Sequence, residues 1–249
     1  MCKGEDVADT RFIDGMVKRI ALIRRGENPA STFRDFLAAA AYAIHNRCSF
    51  SEEYEAAYME IARRYGADMG DMTRLLGDIA TEIATTKEDV LGSLYMAMES
   101  GNKWMAQFFT PYHVSLLMAQ MIMGDCGDVI KRNGFVTMLE PACGAGGMVL
   151  AAAQAVRDAG YDPAEVLMFH AVDIDQVCAH MAFIQASAIG LPGIVAVGDS
   201  LSNRSYRAVY VTPAYAMGGW ARKLGDRDRK TASAGRSIAR GTAGGRCVK

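Results

Sequence analysis

Apolar side chains recur at helical spacing along the first hundred residues. One run places them mostly three or four residues apart, at Phe12, Ile13, Met16, Ile20 and Ile23. This is the spacing of one buried helix face. Ser31 or Thr32 is expected to cap a second helix, and Ser49 with Glu52 is a candidate capping box for a third. Residues 1–104 are therefore predicted to be an all-helical region.

From about residue 135 the pattern changes to short apolar runs separated by helical stretches. Two stretches rich in apolar residues and alanine, 148–159 and 176–188, are predicted helices. The apolar runs around them are predicted to be buried strands. They cover residues 135–139, 168–173, 194–197 and 208–211. Strands alternating with helices indicate an α/β fold with a parallel sheet.

Length and charge divide the chain further. The 249 residues, 51% of them apolar, allow one α/β domain, predicted at 105–220, beside the helical region. The net charge of −1 conceals an uneven distribution, because residues 221–249 carry nine Lys or Arg against two Asp. This last segment lacks apolar periodicity and is predicted to be a basic, disordered tail. It either holds phosphates non-specifically or is only a solvated or aberrant end.

The cysteines favour a reducing compartment. The sequence has six, none of them in a C-x-x-C pair, which argues against a zinc site and for free thiols. No signal peptide is recognisable, and no apolar run approaches the roughly 18 residues of a membrane span. We therefore expect a cytoplasmic protein with no metal and no membrane partner.

A glycine-rich turn follows the first predicted strand. Residues 138–147 read MLEPACGAGG, and an apolar helix is predicted to follow. Such a turn brings backbone N–H groups and a helix N-terminus close to a ligand. It is not the dinucleotide fingerprint, because Val149 stands where that pattern needs a third small residue. Cys143 is interpreted as a packing residue, since the sequence shows no partner that would activate its thiol.

Two stretches precede the glycine turn at short spacing. The first, 89–95, reads DVLGSLY and lies at the start of a helix predicted to begin at Thr86. The second, 107–111, reads QFFTP, and its Thr110 and Pro111 would open a helix as a capping hydroxyl and a first-turn proline. By themselves these residues indicate only a capped amphipathic helix with an aromatic anchor.

Acidic residues stand at three successive strand ends, at Glu140, Asp173 and Asp199. Open α/β sheets bind ligands at this carboxyl edge, where a carboxylate accepts hydrogen bonds from ribose hydroxyls. Asp173 is the candidate for that role. If the ligand carries an adenine ring, Ile174 would lie on its face. Glu140 could reach the amino group of a ligand. The alternative is that all three acids merely cap helices.

These stretches together resemble the N6-adenine DNA methyltransferases, and in particular the modification subunits of type I restriction-modification systems. The resemblance covers residues 86–215. It implies a Rossmann-like methyltransferase sheet with S-adenosyl-L-methionine as cofactor. A complete sheet of this family has more strands than the four found here, so the sheet is expected to be incomplete.

The resemblance also implies a set of cofactor-binding residues. The glycine loop, through Glu140, Pro141, Gly144 and Gly146, would hold the methionine part of the cofactor. Phe109, Thr110 and Pro111 would pack along that same part, although Ala106 replaces the first glycine of the motif. Asp199 would accept a hydrogen bond from the adenine amino group.

The catalytic motif of the family is [DNS]-P-P-[YFW], and residues 212–215 read TPAY. Thr212 and Pro213 would accept hydrogen bonds from the target amino group, and Tyr215 would stack on the flipped base. Ala214 in place of the second proline makes the loop less pre-organised.

Four functions remain open. The first is methyl transfer to the N6 amino group of adenine in DNA, with DNA and a separate DNA-specificity or restriction subunit as expected partners. The second is an inactive cofactor-binding homologue that regulates or assembles a DNA-modification system. The third is a methyltransferase acting on a protein or a small molecule, and the fourth is a plain nucleotide-binding fold.

Overall fold

The computed structural model describes residues 10–99, 109–124, 126–202 and 204–229. Five helices form the N-terminal region, with a 3-10 turn, Gly66–Asp68, before the fourth. They are α1 (Thr10–Ile23), α2 (Pro29–Asn46), α3 (Glu52–Tyr65), α4 (Met69–Thr86) and α5 (Val90–Glu99). Each element follows its apolar pattern; α1, for example, buries Ile13, Met16, Ile20 and Ile23.

Three helix starts in this region differ from the prediction. Helix α5, predicted from Thr86, begins at Val90, because α4 continues through Thr86. Helix α2 is capped by Asn28, whose side chain accepts a hydrogen bond from Ala30 N, and not by Ser31 or Thr32. Pro29 explains the earlier start, because proline is favoured in the first turn of a helix. Helix α3 is capped by Ser51 rather than Ser49.

The second half of the chain builds a four-stranded sheet with helices around it. Its strands are β1 (Val136–Glu140), β2 (Leu167–Asp173), β3 (Gly193–Val197) and β4 (Ala208–Val211). Its helices are α6 (Tyr112–Met123), α7 (Cys126–Asn133), α8 (Gly147–Asp158), α9 (Pro163–Val166), α10 (Gln176–Ala188) and α11 (Pro213–Met217). A last helix, α12, covers residues 220–229. The fold is thus an incomplete Rossmann-like α/β sheet that a helical region precedes in the chain, as predicted.

The strand order is β1-β2-β3-β4, and the last strand runs against the others. β1, β2 and β3 are parallel, so that Glu140 and Asp173 end their strands at the same edge. β4 pairs antiparallel with β3, with Val211 opposite Ile194. The carboxyl end of β4 therefore lies at the amino end of β3.

The outer edge of β4 is closed by side chains of the helical region. The Tyr54 hydroxyl accepts a hydrogen bond from Val209 N at 3.0 Å and donates one to Val209 O at 3.1 Å. His45 Nδ1 accepts from Val211 N at 3.1 Å. Helices α2 and α3 thus satisfy backbone groups that a further strand would use, and the sheet ends here.

The helical region and the sheet share one apolar core. Helix α10 joins them, because it packs against α2, α4 and α5 as well as α8, β2 and β3. All its residues from 178 to 186 are buried. The predicted boundary at residue 104 lies outside the described residues, and the described parts on either side of it share this core.

The start of the predicted basic tail is folded. Residues 220–229 are helical, and the Trp220 ring is buried against Phe135 at 5.4 Å between centroids. Lys223 lies over the Trp220 ring and Arg227 over the Phe135 ring. Aromatic and cation–π contacts thus order a segment without apolar periodicity. The folded chain extends to residue 229, and the remainder of the predicted tail lies outside the described residues.

None of the helices within the described ranges is sufficiently long and apolar to cross a bilayer.

Candidate cofactor site

The glycine loop connects the end of β1 to the start of α8. Cys143 N donates to Val172 O at 2.9 Å, which ties the loop to β2, and Gly146 N donates to Cys143 O at 2.8 Å. Gly144 and Gly146 have positive φ angles of 52° and 98°. Glycine adopts such angles without the strain that they impose on most other residues, so both glycines favour this turn.

Both glycines also make room for neighbours. A Cβ at Gly146 would lie 3.0 Å from the Ala182 Cα, so the missing side chain lets α8 approach α10. A Cβ at Gly144 would lie 3.0 Å from the Phe109 ring. That ring packs in turn on Tyr95, with 5.4 Å between ring centroids. The stretch around Phe109 therefore lies directly against the glycine loop.

Asp173 organises the loop from the end of β2. Its Oδ2 accepts a hydrogen bond from Gly144 N at 2.8 Å, and its Oδ1 accepts one from Asp175 N at 2.9 Å. The side chain is nearly buried. Each carboxylate oxygen can accept a further hydrogen bond, so Asp173 is able to bind hydroxyl groups of a ligand while it holds the loop.

A cavity of about 340 Å³ lies at this edge of the sheet. Residues 142–145 of the glycine loop line it, with Gly147 and Met148 of α8. Of the predicted residues, Phe109, Thr110, Asp173 and Ile174 also line it. Its size falls in the range of about 300–1,000 Å³ that is typical of small-molecule sites.

Other predicted cofactor residues lie near the cavity without lining it. Glu140 ends β1, but its carboxylate turns back to accept a hydrogen bond from Ala142 N at 3.1 Å. Pro141 is exposed and Gly146 is buried. Pro111, with an extended ψ of 137°, precedes α6, which begins at Tyr112 without a side-chain cap, so the predicted roles of Thr110 as cap and Pro111 as first-turn proline are corrected. Asp199 lies beyond the end of β3 and accepts from Leu201 N at 2.9 Å. Glu140 and Asp199 therefore act as local caps in this conformation.

Two further polar residues, which the sequence did not identify as ligand-binding, line the cavity: Asp89 and Ser115. Gln185 holds Asp89 in place, because its Nε2 donates to Asp89 Oδ1 and to Ala145 O, both at 2.8 Å. Burial raises the pKa of Asp89. The only sequence signal for Asp89 was the 89–95 stretch, and for Ser115 there was none.

Thr212, Pro213 and Tyr215 lie at the opposite edge of the sheet. The Thr212 hydroxyl is buried, accepts a hydrogen bond from Gly193 N and donates one to Leu191 O, each at 2.9 Å. Tyr215 packs against an apolar cluster around Trp220. The expectation that these three residues meet the cofactor site is therefore corrected. The physical reason is the antiparallel pairing of β4.

The cavity offers neither a reactive thiol nor a metal cluster. Burial raises the pKa of Cys143 well above its usual value, which keeps the thiol protonated. Among the residues that the structure describes, no group of three His, Cys, Asp or Glu side chains could hold a metal ion. Hydrogen-bonding groups and a helix N-terminus therefore define the chemistry of the site.

Parallel strands that end at a glycine loop and a buried aspartate are the arrangement typical of sheets that bind nucleotide-type ligands. The family model of the N-6 DNA methylases matches residues 86–223, more than half of the chain. The protein belongs to this family.

The matched region covers the 89–95 stretch, the glycine loop and all four strands. A solved structure from Listeria monocytogenes, assigned to the class I S-adenosylmethionine-dependent methyltransferases, is 18% identical. The match spans 72% of this chain but 56% of that one, with a TM-score of 0.38, too weak a likeness to carry an argument about function. No curated protein matches the sequence.

Proposed function

We propose that the protein binds S-adenosylmethionine in the cavity beside Gly144 and Asp173. The observation that carries the proposal is the convergence of three distant stretches on one cavity: Phe109 with Thr110, the glycine loop, and Asp173 with Ile174. Membership of the N-6 DNA methylase family supports the choice of this cofactor. When bound, it supplies an activated methyl group.

The residues of the cavity fit this cofactor. Asp173 would accept hydrogen bonds from the ribose hydroxyls, and Ile174, 63% exposed, offers an apolar surface to the adenine ring. The bare backbone at Gly144 would allow close approach, with the Phe109 ring beside it. Asp199 Oδ1 accepts from Leu201 N, and the carboxylate keeps acceptor positions that could take a hydrogen bond from the adenine amino group.

The residues that would position the methyl acceptor fit their role less well than the residues of the cofactor cavity fit theirs. Because the TPAY stretch lies at the far edge of the sheet, Thr212, Pro213 and Tyr215 would not reach a flipped adenine at the cofactor site. We therefore favour a cofactor-binding homologue that regulates or assembles a DNA-modification system. The second candidate is methyl transfer to the N6 amino group of adenine in DNA, which family membership favours.

Two measurements separate these functions. Titration calorimetry with S-adenosylmethionine tests cofactor binding, and no heat of binding at micromolar protein would refute the proposal. Transfer of tritiated methyl groups to unmethylated plasmid DNA tests catalysis. Binding without incorporation supports the regulatory homologue. Incorporation into N6-methyladenine after digestion to nucleosides would establish the second candidate instead.

A further inference from the structure

Asp89 presents one carboxylate oxygen to the cavity. Its Oδ1 is occupied, because it accepts hydrogen bonds from Gly92 N and Gln185 Nε2, both at 2.8 Å. Its Oδ2 lies beside the first residue of α8, at 3.4 Å from the position of a Cβ on Gly147. No salt bridge reaches Asp89 in the part of the chain that the structure describes. A buried carboxylate without a cation is unfavourable on its own.

Ser115 of α6 borders the same point. Its side chain is fully buried, and its Oγ makes no hydrogen bond to any residue that the structure describes. That oxygen lies 3.8 Å from the Gly147 Cβ position. A buried hydroxyl without a partner is destabilising, and a polar ligand in the cavity would remove this cost. Both polar groups thus point to a ligand group beside Gly147.

The charges at this end of the cavity match an amino acid. Helix α8 begins at Gly147 without a side-chain cap, so its first N–H groups and its dipole favour an anion. Asp89 favours a cation next to it. A zwitterionic aminocarboxylate satisfies both. Asp173 lies at the other end of the loop, bound to Gly144 N. The nucleoside and the amino acid would therefore occupy opposite ends of one cavity.

On the basis of the proposed function, we propose that Asp89 and Ser115 bind the α-ammonium group of the cofactor's methionine end. The N-terminus of α8 would bind the carboxylate of the same end. Burial raises the pKa of Asp89, and a bound ammonium group would offset that burial. This assigns to Asp89 the role that the sequence suggested for Glu140. The Glu140 carboxylate instead caps the turn at Ala142 and does not line the cavity.

Two variants of the full chain test the subsite. In Asp89→Asn the amide oxygen can keep both bonds of Oδ1, while an NH₂ group replaces the oxygen that faces the cavity. In Gly147→Ala the new methyl group meets only ordinary contact distances, so the fold is retained, but it fills the space between Asp89 and Ser115. Urea unfolding of each variant verifies that the fold is intact.

The ligands are a matched pair measured by calorimetry. S-adenosylhomocysteine carries the aminocarboxyl group, and 5′-methylthioadenosine is a thioether nucleoside without it. Each variant is expected to weaken S-adenosylhomocysteine roughly 10- to 100-fold, the usual effect of losing a charged hydrogen bond. Binding of 5′-methylthioadenosine should change by less than about twofold, because its contacts lie at the other end of the cavity.

Three outcomes would overturn the inference. Equal weakening of both ligands would make Asp89 a structural residue. Unchanged affinities in both variants would remove it from the site. Selective loss in Glu140→Gln, with none in Asp89→Asn, would return the ammonium group to Glu140. If the unaltered protein binds neither ligand nor S-adenosylmethionine, the proposed function fails as well, which distinguishes that failure from the other three.

Discussion

Replacing Thr212 by valine should lower the free energy of unfolding and leave the cofactor site unchanged. Thr212 Oγ1 accepts from Gly193 N at 2.9 Å and from Tyr215 N at 3.3 Å, and it donates to Leu191 O at 2.9 Å. Valine has the same shape but no hydroxyl. At least two buried backbone groups then lose their partner, at about 1–3 kcal/mol each. We expect the free energy of unfolding to fall by about 2–5 kcal/mol.

Thr212→Ser is the matched control. It keeps the hydroxyl and loses one methyl group, so its free energy of unfolding should fall by only about 1 kcal/mol. Equilibrium urea unfolding followed by circular dichroism measures both variants, and S-adenosylmethionine affinity should be the same in both. The reasoning is refuted if the valine variant is as stable as the serine variant.

Three further predictions concern packing, acid stability and the sheet edge. Gly146→Ala should lower the free energy of unfolding by about 2–4 kcal/mol through backbone strain and steric overlap. Gly160 also has a positive φ but lies in open space, so Gly160→Ala should lower it by only about 1 kcal/mol. Equal losses of the two variants in urea unfolding would contradict the role of steric overlap at Gly146. Burial lowers the pKa of His180 to about 3, so the unfolded state takes up the proton first. His180 alone should then lower the stability by about 1.4 kcal/mol per pH unit as the pH drops from 6.5 towards 3. Burial also lowers the pKa of His45 and His170, so His180→Gln should reduce the overall slope by this amount rather than abolish it, and an unchanged slope would exclude His180. Tyr54→Phe removes both bonds to Val209 and should cost about 1–3 kcal/mol in the same assay; no loss would mean that β4 needs no edge partner.

The strands were predictable because each is marked by a run of apolar residues that are consecutive in the sequence. Each observed strand begins and ends within one residue of its predicted run. Phe135 shows the limit of the pattern. It was placed in the first strand as an apolar residue, but it precedes β1 and packs on Trp220. The contact with Trp220 joins positions far apart in the sequence, which periodicity does not reveal.

The direction of β4 was the main feature that motif reading missed. Ten residues, 198–207, separate β3 from β4. A crossover to a parallel strand usually needs a dozen or more residues, so the spacing itself favours an antiparallel pair. The helical region completes the arrangement, since Tyr54 and His45 bind the free edge of β4. These contacts cross more than 150 residues of sequence and could not be predicted.

The cavity was predicted in part. Phe109, Thr110, Asp173 and Ile174 belong to recognisable stretches and line it. Asp89 was not predicted as a cavity residue, because an aspartate before an apolar helix indicates only a helix cap. It also has that role, since it accepts a hydrogen bond from Gly92 N. Its place in the cavity depends on Gln185, which links it to the glycine loop from α10. Side-chain bridges of this kind become visible only in the folded structure.

Binding of S-adenosylmethionine to Asp173→Asn, compared with Asp175→Asn, tests the central claim most directly. Both variants lose one negative charge, but Asp175 caps α10 outside the cavity, and asparagine caps equally well. We predict that the unaltered protein and Asp175→Asn bind the cofactor alike in calorimetry, and that Asp173→Asn binds it roughly 10- to 100-fold more weakly. No binding by the unaltered protein, or equal affinity in both variants, would contradict the account.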